Sequence, residues 1–154
     1  MNVLSVPTSL DHLTVDELLD ATHVAAEGRL LFDARHLRWV DPNGMVGLLL
    51  AGSVVQSRSG VMPRLELPEN VDVLGYLSRM GFFREAQEIF EYDDRAPRRG
   101  SGPSDVLLEI TPIRANVDVH AVVDRVQAQA GTVLASKLGY PASAVVQFSV
   151  ILSE

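Results

Sequence analysis

The residues with the most chemical promise lie in one short turn, Asp41-Pro42-Asn43-Gly44. An aspartate just ahead of an apolar helical run can cap a helix N-terminus, and proline suits the first helical position. The free N–H groups and macrodipole at such an end favour a phosphate or a partner's carboxylate, so the turn is a candidate recognition point. A plainer reading is equally open, in which Asp41 only caps the helix. Other reactive side chains do not group. His12, His23, His36 and His120 show no metal-ligand spacing and the chain has no cysteine, so no metal site is expected. Gly47 and Gly52 have the glycine spacing of a phosphate-binding loop, but Ser53-Val54 stands where Lys and Ser/Thr are required. The sequence contains no Gly-x-Ser-x-Gly elbow of the serine hydrolases. Arg95, Arg98 and Arg99 form the one basic cluster, beside Asp93 and Asp94, with no interleaved aromatics for base stacking. With a net charge of −7 over 154 residues, direct nucleic-acid binding is not expected.

The elements that must position this turn are legible around it. Asn2 to Val6 reads as a strand before Pro7. Thr14-Val15-Asp16-Glu17 is a capping-box pattern that opens a helix on Val15, Leu18, Leu19 and Thr22, closed by Gly28. Arg29 to Ala34 is a continuous apolar run, expected to be a strand covered on both faces. From Gly44 to Ser57 the chain is apolar nearly all round, which predicts a helix buried against a sheet and a further element. Gly44, Gly47 and Ala51 make a small-residue stripe along it that allows close backbone approach. Arg64 to Pro68 is another strand, Val71 to Ser78 a short helix ending at Gly81, and Glu88 to Tyr92 a last strand. Successive β-α units predict an α/β fold with a mainly parallel or mixed sheet and packed helices.

Composition changes at residues 93–104, where Arg, Pro, Gly and Ser replace large apolar residues and predict a linker. Beyond it, Val106 to Ile113 reads as a strand. Val119, Val122, Val123, Val126, Ala130, Val133 and Leu134 form a helical stripe. Gly139 ends that helix, and Pro141 opens another through Val145, Phe148 and Leu152, giving a C-terminal strand and α-hairpin. The final helix reaches Glu154 without a cap, which reads as a truncation. The N-terminus lacks a signal-peptide pattern and the longest apolar run is too short to span a bilayer, so a cytoplasmic chain without membrane insertion is expected.

Two stretches resemble known families. Strand, Asp-x-x-Gly turn and small-residue helix, together with Leu74-Gly75-Tyr76-Leu77-Ser78-Arg79-Met80-Gly81-Phe82-Phe83, resemble the STAS domain of bacterial anti-sigma factor antagonists over residues 1–92. In that family the turn carries a phosphorylatable hydroxyl. Pro42 and Asn43 occupy those positions here, which implies binding without a phosphorylation switch. Residues 105–154, with Ile110-Thr111-Pro112-Ile113-Arg114 and Leu138-Gly139-Tyr140, resemble the opening of a histidine-kinase-like ATPase domain of the anti-sigma serine kinase type. There Glu154 matches the family's catalytic glutamate. The magnesium-binding Asn and the nucleotide loop have no counterpart in this chain. The resemblance therefore implies no cofactor and no catalysis for this chain, with ATP and Mg relevant only to a longer parent.

Together these features point to a partner-switching regulator that acts by protein–protein binding. Asp41, Pro42, Asn43, Gly44 and the exposed side of the following helix are its expected contact surface. The expected partner is a regulatory protein of the anti-sigma, sigma-system or kinase type. The uncovered stripe from Val119 to Leu134 adds an expectation of self-association. The alternatives are the N-terminal portion of an ATP-binding anti-sigma serine kinase and a structural STAS subunit of a larger assembly.

Overall fold

The computed structural model describes residues 2–25, 28–96 and 109–153. The chain divides into two compact units, residues 1–102 and 103–154. The first is an α/β unit. Its central sheet has three parallel strands in the order β1 (Asn2–Ser5), β3 (Leu30–Asp33), β5 (Arg64–Glu66). The order advances in one direction, so right-handed crossovers place both connecting helices on one face. Those helices are α1 (Val15–Val24) and α2 (Pro42–Ser59), which pack on each other.

Side-chain alternation along the strands separates the two faces. Leu4, Phe32 and Leu65 stand in register on adjacent strands and are buried, and Leu30 lies beside them. Leu31 and Asp33 point the other way and stay partly exposed, while Val3 is well exposed. The expected covering of Arg29 to Ala34 on both faces is therefore corrected. The unbroken apolar stretch is only Leu30 to Phe32, and alternate residues, Leu30, Phe32 and Ala34, reach the core. Phe32 meets Phe90 edge-on, with ring centroids 5.4 Å apart, and closes that core at the far side.

Beyond Pro7 and Ala34 the first and third strands resume as a second ladder, β2 (Ser9–Leu10) against β4 (Trp39–Val40). At two residues each, these strands are too short to show a period, and the sequence reading missed them. The Thr14 capping box is also corrected. Thr14 has helical backbone angles and no capping hydrogen bond to the helix. Its hydroxyl donates to the Ser9 carbonyl at 2.9 Å, and Asp11 satisfies the helix start instead.

α3 (Val71–Arg79) is capped by Asn70, whose side-chain oxygen accepts from Asp72 N–H at 2.9 Å. Gly81, at φ +76°, turns the chain as expected. A short helix, α4 (Phe82–Ala86), follows. The strand expected over Glu88 to Tyr92 reduces to one parallel bridge between Arg64 and Glu91. The backbone N–H groups of Ile89 and Phe90 are already committed to the Ala86 carbonyl, which leaves no run of groups for a ladder.

In the second unit, residues 109–113 form no strand, a further correction. Pro112 lacks a donor, and no neighbouring strand is available among the described residues. Residues 106–108 lie outside the described residues. α5 (Asn116–Thr132) continues into a π-helical segment, Val133–Lys137, and α6 (Ala142–Ser153) returns as the second arm of the expected hairpin. Asp118 accepts from the N–H groups of Arg114 and Ala115 at 2.8 and 2.9 Å and so closes the start of α5. Gly139 takes φ +67°, and the Tyr140 N–H returns to the Leu134 carbonyl at 2.9 Å. No residue of α5 is buried, and Val122, Val123 and Val126 are half-covered.

Candidate functional site

The second ladder sets the geometry of the Asp41 turn. Ser9 pairs with Trp39 and Leu10 with Val40, so Asp11 and Asp41 are the next residues of two neighbouring strands. Each aspartate then caps the helix that follows. Asp11 accepts from Leu13 N–H at 2.9 Å, Thr14 N–H at 3.3 Å and the Ser9 hydroxyl at 3.0 Å. The Leu13 N–H is the main cause that holds its carboxyl below the usual aspartate range. Asp41 has extended backbone (φ −98°, ψ 173°) and accepts from Gly44 N–H at 2.7 Å. Its carbonyl receives Met45 N–H at 3.0 Å, and its own N–H donates to the Leu10 carbonyl at 3.1 Å.

The four turn residues have separate roles. Asp41 is half-buried, Pro42 and Asn43 are exposed, and Gly44 is buried. A Cβ on Gly44 would lie 2.1 Å from the Leu10 carbonyl oxygen, so the first turn of α2 rests directly on the β2 backbone. Gly47 serves the same end one turn later, where a Cβ would fall 2.0 Å from Val15 Cγ2 of α1. The small-residue stripe thus carries two close approaches. Gly52 points elsewhere, at Phe90 and Ile89. Side chains therefore occupy the space beside both Gly47 and Gly52, and no phosphate loop exists there.

The turn is also a poor anion cradle. Of the first three helical residues, Pro42 has no N–H and Gly44 gives its own to Asp41, leaving only that of Asn43. The second Asp41 oxygen lies 4.0 Å from Nδ1 of His12, an exposed residue that the sequence reading did not connect with the turn. What the arrangement can do chemically is present a rigid polar corner, Pro42 and Asn43, at the head of a helix.

The helix next to that corner is unusual. Eight residues of α2 are buried, yet Val46 and Leu50 are 51% and 50% exposed, one turn apart. These two positions form the exposed side of a helix that is otherwise largely buried against its neighbours. Trp39, on β4 just before the turn, is 62% exposed. On the same helix Ser53 is half-buried and Ser57 exposed.

The remaining candidates stay apart. His23 Nδ1 lies 2.8 Å from the Leu19 carbonyl of its own helix. Among the described residues, no three His, Asp or Glu side chains converge as a metal site would require. Arg95 pairs with Asp93 at 2.8 Å, which neutralises that member of the basic cluster, while Arg98 and Arg99 lie outside the described residues. Glu154 also lies outside them. No described helix is long and apolar enough to cross a membrane. No family model, curated protein or solved structure matches this chain.

Proposed function

We propose that this chain is a regulatory binding module of the partner-switching type. In this reading, its contact surface is the Asp41–Gly44 turn with the outer side of α2. One observation carries the reading: Val46 and Leu50 stay exposed on a helix whose other apolar residues are largely buried, next to a rigid polar corner. Apolar anchors flanked by ordered polar groups are the usual anatomy of a binding patch. Binding here does not depend on phosphorylation of the turn, since Pro42 and Asn43 offer no hydroxyl and the helix end has one spare donor. The partner is a regulatory protein of the anti-sigma or kinase type.

Photo-cross-linking residues placed at Asn43, Val46 and Leu50 in cells test this reading. The expected result is a cross-link to such a regulatory protein, lost in Val46→Asp or Leu50→Asp. Cross-links to membrane-transport components alone would refute it. The chain is expected to show no appreciable ATP binding in calorimetry, and micromolar affinity would overturn a purely binding role.

A further inference from the structure

A cleft of about 410 Å³ opens at the far end of α2 from the Asp41 turn. Val55, Arg58 and Ser59 line it from the last turns of that helix. Arg58 lies seventeen residues beyond Asp41, about 25 Å away along the helix at 1.5 Å per residue. Its lining is mixed, with an apolar side on which Leu30 and Val55 are buried and Ala25 and Val61 stand at the edge. Two guanidinium groups, Arg29 and Arg58, supply the charge among the described lining residues.

Both arginines are held in place. Arg58 Nη1 donates to the carbonyls of Thr22 and His23 at 3.4 Å, at the C-terminal end of α1. That contact uses one corner of the fork and orients the rest of it. Arg29 is ion-paired with Glu91 across the start of the sheet, which offsets its charge and leaves Arg58 as the main cationic group of the cleft among the described residues. Thr22, the one buried polar residue among the described residues, donates its hydroxyl to the Leu18 carbonyl at 2.7 Å and asks nothing of a ligand. The cleft therefore combines an apolar side with a preset guanidinium, which is the pattern of a small-molecule site.

We infer that this cleft binds a small amphipathic anion, a carboxylate with a short alkyl or branched apolar tail. The carboxylate meets Arg58, and the tail lies against Leu30, Val55 and Val61. Nothing in the partner-binding reading requires this site, and the two stand or fall separately.

Octanoate is the probe, titrated into the full-length chain while backbone amide signals are followed by NMR. Octylamine and acetate serve as controls for charge and tail. Saturable shifts are expected at Gly28, Arg29, Gly60 and Val61 with octanoate, and not with either control. Arg58→Gln is expected to weaken octanoate by about tenfold, the loss of one charge-assisted hydrogen-bonding group. Should that variant fail to fold, Ala25→Phe fills the cleft from its side wall and is expected to abolish the shifts with the fold intact. Equal shifts with octylamine would overturn the inference. So would octanoate shifts confined to the Val46 and Leu50 side of α2, or full binding by Ala25→Phe.

Discussion

Replacing Gly44 by alanine tests how the turn is seated. Helix propensity alone favours the change by about 1 kcal/mol. The packing reverses that sign. The new Cβ would fall 2.1 Å from the Leu10 carbonyl oxygen and 2.6 Å from its carbon, both backbone atoms fixed in the β2–β4 ladder. Overpacking of this kind costs about 1–3 kcal/mol. Displacing the turn also strains the Asp41 cap, worth about 1 kcal/mol. The expected net loss is about 2 kcal/mol, combining these central values.

Gly47→Ala provides the contrast, because its obstacle is the Val15 side chain at 2.0 Å. Val15→Ala should therefore relieve Gly47→Ala with a coupling of about 1–2 kcal/mol. Leu10→Ala should do little for Gly44→Ala, since the backbone carbonyl remains. Urea unfolding followed by far-UV ellipticity and by Trp39, the single tryptophan, measures both cycles. A Gly44→Ala protein more stable than the wild type would refute the reasoning, as would equal rescue by the two partner substitutions.

Three other substitutions probe separate parts of the molecule. Asp41→Ala removes the bond to Gly44 N–H and should cost about 1 kcal/mol, with Asp41→Asn retaining most of it, read from the same urea midpoints. Asp33 is held at a pKa of about 2, chiefly by its side-chain hydrogen bond from Arg35. Its folded pKa lies below the unfolded value of about 4, so its contribution is complete above that pH and fades as pH falls towards about 2. Asp33→Asn should flatten the acid limb of stability against pH and cost about 1 kcal/mol at neutrality, allowing for the half-exposed Arg35. An unchanged acid limb would rule this pair out as its source. Gly139→Ala places a Cβ at φ +67° and should destabilise the hairpin by about 1 kcal/mol, seen as faster amide exchange across Leu138 to Tyr140.

The parts of this structure legible in the sequence are those fixed by local chemistry. The Asp41 cap, the Gly81 and Gly139 turns and the long apolar helix each follow from residues within one turn of the feature. What the sequence concealed depends on pairing across distance. Asp11 and Thr14 both suit a helix start, and only the Ser9 carbonyl, positioned by the second ladder, draws the Thr14 hydroxyl away. Likewise, an all-round apolar helix does not say which of its sides is left open. Val46 and Leu50 look no different in sequence from Leu48 and Leu49, and the placement of α1, β2 and Phe90 decides between them. The Glu88 to Tyr92 strand failed for a similar reason, because the preceding helical turns claim its donors.

The broken ladder also bears on the order in which the unit assembles. β1 and β3 must close a loop of about 30 residues before they meet, a slow and entropically costly step. Once they have met, only the short links through Pro7 and the 34–38 segment separate them from β2 and β4, which zip together at little further cost. The Leu10 carbonyl, and with it the seat of Gly44, belongs to this late, two-residue clasp. Leu10 and Val40 of this clasp are both buried, so the seat of the Asp41 turn belongs to the core of the unit despite its shortness. A partner that grips Asn43 and Val46 would then meet a preformed surface and bear little ordering cost.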